Sequence, residues 1–324
     1  MPSLETEYLG LKLKNPIIVS SSGLTNSVER IVELEKAGAG AVILKSMFEE
    51  QILNETSDLL QHNDYPEAAD YLLAYARENS LKTYTQLIKT AKEKVRIPII
   101  ASINCVSDSD WETFAVDLQE AGADAIELNI YPIPTDKNKS SAYYESIYFD
   151  IVKNITAKIG IPVTVKIGKT FANLIYVADQ LHAHGADALT LFNRFFEPDI
   201  DIDDLKLTSA EIFSSSSDMH SNLRWVAMIS AKTDIPISAS TGIHTGEDAV
   251  KMLLAGATTV QLCSVIYKNG NKTIAEILDF IDSWMKKKNF KNIEQFRGKM
   301  NYESIKNPSA YERSQFMKYF SSIE

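Results

Sequence analysis

Apolar residues along the chain fall into short runs that open on a proline: Asn15-Pro16-Ile17, Ile97-Pro98-Ile99, Ile161-Pro162-Val163 and Ile235-Pro236-Ile237. Between 20 and 24 residues after each proline stands a glycine corner, in Ala37-Gly38-Ala39, Ala121-Gly122-Ala123, His184-Gly185-Ala186 and Ala255-Gly256-Ala257. Each corner leads into another run rich in β-branched residues, and the spacing holds a strand, a turn and a helix. The pattern predicts eight strands, at 16–21, 41–46, 98–104, 124–130, 162–167, 187–193, 236–240 and 258–263. Their apolar runs do not alternate with polar residues, as expected of parallel strands buried on both faces. Eight strand–helix alternations close into an α/β fold of the (β/α)8 TIM barrel type. An open, doubly wound sheet is the competing arrangement; the even four-fold spacing favours the barrel.

The stretch Ile237–Ser264 shows the repeat most clearly. Thr245 is placed to cap a helix whose first turn carries Glu247 and Asp248. Ala249, Met252 and Leu253 give that helix an apolar stripe, and Gly256 stops it. Two strand tips of small residues, Thr241-Gly242 and Cys263-Ser264, then lie side by side with backbone amides free to cradle a phosphate.

Three segments exceed the minimal plan, at 48–80, 131–148 and 195–223. They follow strands 2, 4 and 6, so these long loops belong to the C-terminal face, where barrels build their sites. Residues 1–324 read as a single domain with a helical tail from about 290, partly helical over 304–323.

Composition narrows the function. A net charge of −10 argues against nucleic acid or a membrane surface as partner. The first residues show no secretion signal and no window is apolar over ~20 residues, so no transmembrane helix is expected. With two cysteines, Cys105 and Cys263, the default location is the cytoplasm.

The strand tips carry the chemistry: Ser20-Ser21-Ser22-Gly23, Lys45-Ser46, Asn104, Asn129, Lys166, Asn193, Thr241-Gly242 and Cys263-Ser264. Two lysines, three asparagines and small hydroxyl residues converge on one mouth. Metal-ligand spacings, paired acids and a Ser-His-Asp arrangement are not evident, and His182 and His184 read as surface residues at a helix end. Such a mouth suits a planar ligand, neutral or anionic, held by hydrogen bonds with its phosphate at strands 7 and 8. Lys166 alone leaves a Schiff-base lyase open.

In this order on eight strands the motifs resemble the dihydroorotate dehydrogenases of the soluble class 1. The likeness spans nearly the whole chain, from Leu9-Gly10-Leu11-Lys12-Leu13-Lys14-Asn15-Pro16 through Lys45-Ser46, Glu127-Leu128-Asn129, Val165-Lys166, Phe192-Asn193 and Ser240-Thr241-Gly242-Ile243 to Ile293-Glu294-Gln295-Phe296-Arg297-Gly298-Lys299. The resemblance implies a non-covalent FMN held by Ser21, Ser22, Gly23, Lys45, Ser46, Asn104, Asn129, Lys166, Thr241, Gly242, Cys263 and Ser264. Lys45, Asn129, Asn193 and Arg194 would face a planar, orotate-like substrate, and a homodimer is implied. Lys166 and Lys45 would lie near the isoalloxazine edge, where an ammonium stabilises the charge left by reduction. An iron–sulfur centre could come only from a partner, since the chain has no cysteine cluster.

One position departs from the family. Where class 1 enzymes place a cysteine base, the run Asn129-Ile130-Tyr131-Pro132-Ile133-Pro134-Thr135 has Pro132, and Pro134 replaces an asparagine. Removing a general base costs ~10²–10⁴-fold. Tyr131 is the adjacent candidate, followed by Ser140, Ser141, Tyr143, Tyr144 and Cys105. The substrate segment after strand 2, Gln61-His62-Asn63-Asp64-Tyr65-Pro66, matches the family poorly. The expected activity is hydride transfer between a dihydroorotate-like or dihydropyrimidine-like ring and FMN. A family member with another substrate or little turnover is the alternative.

Overall fold

A computed structural model of the chain describes residues 2–48, 68–105 and 111–313. Strands β1 (Thr6–Tyr8) and β2 (Leu11–Leu13) form an N-terminal hairpin. The barrel follows: β3 (Ile17–Val19), β4 (Ala41–Ile43), β6 (Ile99–Cys105), β7 (Ala125–Ile130), β8 (Val163–Ile167), β9 (Ala188–Leu191), β12 (Ile237–Ala239) and β13 (Thr259–Leu262). All are parallel; β13 pairs with β3 and β4 with β6, so the ring closes. The eight strands stand where the proline–glycine rhythm puts them; most ends are trimmed by a residue or two, β4 stops three residues short and β6 runs one residue further, to Cys105. The second is interrupted at Leu44–Ser46 and resumes as β5 (Met47–Phe48), which also pairs with β6.

Helices cover the outside. They include α1 (Val28–Lys36), α2 (Ala68–Lys94), α3 (Trp111–Glu120), α4 (Ser141–Thr156), α5 (Leu174–Ala183), α6 (Met219–Lys232), α7 (Gly246–Ala255), α8 (Ser264–Asn269) and α9 (Lys272–Lys288). Part of the segment expected as loop at 48–80 is helical, because from Ala68 the chain runs 27 residues without glycine or proline. The loop expected at 131–148 ends early, at Ser140, whose side chain caps α4. Past the closing helix, the amides of Gly298, Met300 and Tyr302 bond the carbonyls of Leu253, Leu254 and Ala227 and tie the tail to the barrel. Within it, Ile293–Gln295 form a 3-10 turn and α10 (Ser309–Glu312) a short helix. Among the described residues no helix is long and apolar enough to cross a membrane.

The two ends of the barrel differ in chemistry. At the floor, Leu9 and Gly10 take successive positive φ values of 57° and 67°, the tight-turn geometry that lets β1 and β2 fold back. The hairpin sends Tyr8, Leu9 and Leu13 against Ile18, Ala41, Ile43, Ile100, Ala125 and Ala188. Above this apolar layer the interior turns polar, with Ser102, Glu127, Thr164, Thr190, Ser238 and Gln261 all buried. A second hairpin, β10 (Pro198–Asp201) with β11 (Lys206–Ser209), projects from the loop after β9.

The helix read from Thr245 onward forms as expected. Thr245 accepts from the Asp248 amide and Asp248 reaches back to the Thr245 amide, while Gly256 ends the helix at φ 113°. A Thr245→Ala variant is expected to lose about 1 kcal/mol of unfolding free energy in urea denaturation. An unchanged midpoint would contradict the capping role.

Candidate active site at the barrel mouth

The C-terminal ends of β3, β8, β9, β12 and β13 surround a cavity of about 630 Å³. Of the residues singled out from sequence, Ser20, Ser21, Lys166, Asn193, Arg194, Thr241, Gly242, Cys263 and Ser264 line it together. The loop after β9 forms its outer wall, with Phe195, Phe196, Ile212 and Phe213 beside the polar Glu197, Ser209 and Glu211.

Strand parity puts a polar cluster beneath the cavity. Lys166 points inward from β8 and is buried; its ammonium lies 3.2 Å from Ser20 Oγ and 3.4 Å from Glu127 Oε1. Glu127 is fully buried and also accepts from Thr190 Oγ1 (2.9 Å) and Gln261 Nε2 (3.3 Å). From the sequence, Ser20 is legible as a strand-tip residue and Glu127 only as part of a motif, without a role; Gln261 is not singled out. The signal for Glu127 was its parity: two residues before Asn129 on one strand, it faces the same side.

The corner expected to seat a phosphate is built from backbone. Thr241 and Gly242 adopt successive left-handed conformations, φ 69° and 84°, the kind of concavity that collects anions. A Cβ on Gly242 would lie 2.3 Å from the Met219 amide nitrogen, so only glycine fits against α6. Asn222 Nδ2 holds the corner by donating to the carbonyls of Ser240 (2.8 Å) and Thr241 (3.0 Å). Among the described residues, the Gly242 and Ile243 amides have no hydrogen-bond acceptor. Opposite them, Cys263 is mostly buried, which pushes its thiol pKa up, and Ser264 opens α8. Free amides, hydroxyls and a tight corner on one cavity fit a phosphate monoester, and with the buried ammonium they fit a phosphorylated flavin.

Other expected residues reach the cavity through neighbours. Ser46 bonds Ser21 Oγ (3.0 Å) and Ser102 Oγ (2.7 Å), and Asn193 Nδ2 donates to Asn129 Oδ1 (2.6 Å). Asn104 pairs in register with Asn129, Ser22 caps the short turn Gly23–Thr25, and Lys45 is half-buried in the break between β4 and β5. The guanidinium of Arg194 is already engaged by the carbonyls of Glu211 and Ile212 and by Asp218 at 3.3 Å.

The segment after β7 behaves differently. Tyr131 stacks on Phe195, ring centroids 3.3 Å apart, over Gly168, and does not line the cavity. Pro132 and Pro134 face a second hollow of about 370 Å³ together with Ser141 and Tyr144. Lys139 donates to Tyr143 Oη at 2.8 Å and Asp136 N to Tyr144 Oη at 3.2 Å, so these phenols serve their own loop. Cys105 ends β6. Gln61–Pro66 lie outside the described residues.

A family model described as Dihydroorotate dehydrogenase matches residues 3–285. Among curated proteins, the chain is 28% identical over 309 residues to the dihydroorotate dehydrogenase B (NAD(+)) catalytic subunit of Thermoplasma volcanium, covering 92% of this chain and 98% of that one. The protein of the same name from Methanocaldococcus jannaschii is 26% identical over 88% of this chain and 94% of its own. That of Pyrococcus abyssi is 27% identical over 91% and 98% respectively.

A lock not foreseen in the sequence closes the phosphate corner. Ser214 is buried; its amide donates to Ser264 Oγ (3.1 Å), its carbonyl accepts from Lys268 Nζ (2.9 Å), and its hydroxyl meets His244 Nε2 at 3.0 Å. Burial first, and then Lys268, hold His244 below its usual pKa. The unfolded chain therefore takes a proton at about pH 6.5 before the folded one does, and stability is lost as pH falls through that range. Between about pH 7.5 and 5.5, the melting temperature of the wild type is expected to fall more than that of His244→Gln. Parallel profiles would contradict a neutral His244 in the lock.

Proposed function

The chain belongs to the dihydroorotate dehydrogenase family, and from that premise we propose that it is an FMN-dependent oxidoreductase transferring a hydride between FMN and a ring carbon of dihydroorotate or a similar dihydropyrimidine. The observation that carries the reading is the buried Lys166 ammonium in one cavity with Thr241-Gly242 and Cys263-Ser264. When bound, FMN supplies the two-electron acceptor. The protein's own residues do the rest. The amides at Gly242 and Ile243 with the Ser264 hydroxyl hold the phosphate. Lys166 supplies a positive charge, fixed by Ser20 and Glu127, at the site where reduction leaves negative charge. The Asn193–Asn129 pair presents amide groups that match a ring amide in both donor and acceptor sense. Phe195, Phe196, Ile212 and Phe213 offer an apolar surface on the outer side of the cavity.

Position 132, where class 1 enzymes carry their base, is a proline with no ionisable group and Tyr131 does not line the cavity, so the proton leaving the substrate carbon would go to solvent. Turnover with dihydroorotate is then slow, by about the 10²–10⁴-fold that a positioned base contributes. The same proline, together with the Tyr131–Phe195 stack, favours a second reading, in which another small cyclic acid is the substrate. Anaerobic mixing of the FMN-loaded protein with dihydroorotate separates the two. Slow, complete bleaching of the flavin is expected; a flavin that dithionite reduces but dihydroorotate does not would exclude dihydroorotate. Lys166→Met is expected to weaken FMN binding or its reduction at least tenfold, and unchanged binding and reduction would defeat the role given to Lys166.

The reading includes a homodimer in the cytoplasm, to which a chain with two cysteines is suited. Ile200 and Leu207 pair across the second hairpin and Ile202 and Leu205 flank them in its turn, all four 62–85% exposed. A lone two-stranded ribbon is marginal in water, and these side chains offer on the order of 300 Å² of apolar surface. That is a fitting core for a two-fold contact burying ~800 Å² per partner. Sedimentation equilibrium is expected to give twice the 36.2 kDa chain mass and Leu207→Lys the single mass. A wild type at 36.2 kDa would overturn the dimer.

A further inference from the structure

Glu127 lies one layer below the cavity and does not line it, yet it is tied to three residues that do. Lys166 Nζ donates to Glu127 Oε1 (3.4 Å) and to Ser20 Oγ (3.2 Å); Ser20 donates to Gln261 Oε1 (2.9 Å); Gln261 Nε2 returns to Glu127 Oε2 (3.3 Å). This closed ring of four side chains spans the barrel from β3 and β13 to β7 and β8. Thr190 donates to the carboxylate from β9 at 2.9 Å. Its hydroxyl continues to Thr164 Oγ1 (3.4 Å), which in turn meets Tyr8 Oη (3.0 Å), so the cluster stands on the floor hairpin.

A lysine side chain has four flexible carbons and carries its charge toward water when nothing holds it. That tendency would draw the cation away from the cavity, and the ring opposes it. Three donors converge on the carboxylate, from Lys166, Thr190 and Gln261, and the carboxylate so held keeps the ammonium turned inward.

We propose that Glu127 is a positioning residue, which fixes the ammonium of Lys166 at the base of the cavity and through it sets how strongly the site favours reduced over oxidised flavin. The proposal deepens the flavin reading given above and rests on it. Glu127 acts through Lys166 alone, so its removal has no effect on the flavin once Lys166 is gone.

Two measurements test this, one without the cofactor. In the flavin-free protein, the rate at which acetic anhydride acetylates Lys166 is followed by mass spectrometry, with Lys169 as internal reference. Glu127→Gln is expected to raise the Lys166 rate at least tenfold relative to Lys169, and Glu127→Asp, which retracts the carboxylate by one carbon, to raise it less. Should E127Q fail to fold, E127D carries the comparison. An unchanged Lys166 rate in the variant that folds overturns the positioning role. In the FMN-loaded protein, E127Q is expected to lower the preference for reduced flavin about tenfold, a fall of ~30 mV for a two-electron couple. Lys166→Met and the double variant are expected to share one potential. A potential unmoved or raised by E127Q, or lowered further by E127Q in the Lys166→Met background, overturns the link to the flavin. Failure of the wild type to take up FMN would instead sink the flavin reading, and the acetylation comparison would still decide whether Glu127 pins Lys166.

Discussion

The interaction on which the mouth of this barrel depends is an ion pair where barrels ordinarily pack aliphatic side chains. Removing two charges from water costs several kcal/mol per ion, and the pair of Glu127 and Lys166 persists because every neighbour is arranged for it. Thr190 and Gln261 donate to the acid, Ser20 accepts from the base, and closed parallel strands hold all of them in register. An apolar plug below and a cavity above separate the pair's two environments. Charge is thus buried on one side and presented on the other.

The second constraint is the loop after β9, which does two tasks at opposite ends. Near the barrel it supplies the outer wall and seats Ser214 between His244, Ser264 and Lys268. Further out it extends into the hairpin whose aliphatic face has no partner within the chain's described residues. Contacts on that hairpin and the closure of the phosphate corner therefore share one stretch of backbone. Arg194, engaged by Glu211, Ile212 and Asp218, anchors the base of that stretch.

The barrel itself was legible because proline and glycine punctuate it and because buried parallel strands leave apolar runs that few other elements produce. The capped helix from Thr245 was legible for the same local reasons. The hairpins were harder. Leu9-Gly10 is a turn that two left-handed residues make, but only one of them is a glycine. Ile200, Ile202, Leu205 and Leu207 do alternate with polar residues, a strand signal lost among the acids of that loop. At the site, residues on strand tips could be named, since position in the repeat identifies them. The roles of Glu127, Gln261 and Ser214 could not be read, because they come from partners more than a hundred or several tens of residues away. Tyr131 was named for its place beside the missing base; its stack on Phe195 depends on a glycine, Gly168, in a different repeat.

The central claim is that small residues at two strand tips seat the single phosphate of a flavin above a fixed ammonium. Equilibrium binding of FMN and of riboflavin, followed by quenching of flavin fluorescence, tests it most directly. FMN is predicted to bind at one per chain and riboflavin, which lacks the phosphate, at least tenfold more weakly. Equal affinity for the two, or no binding of FMN, would contradict it.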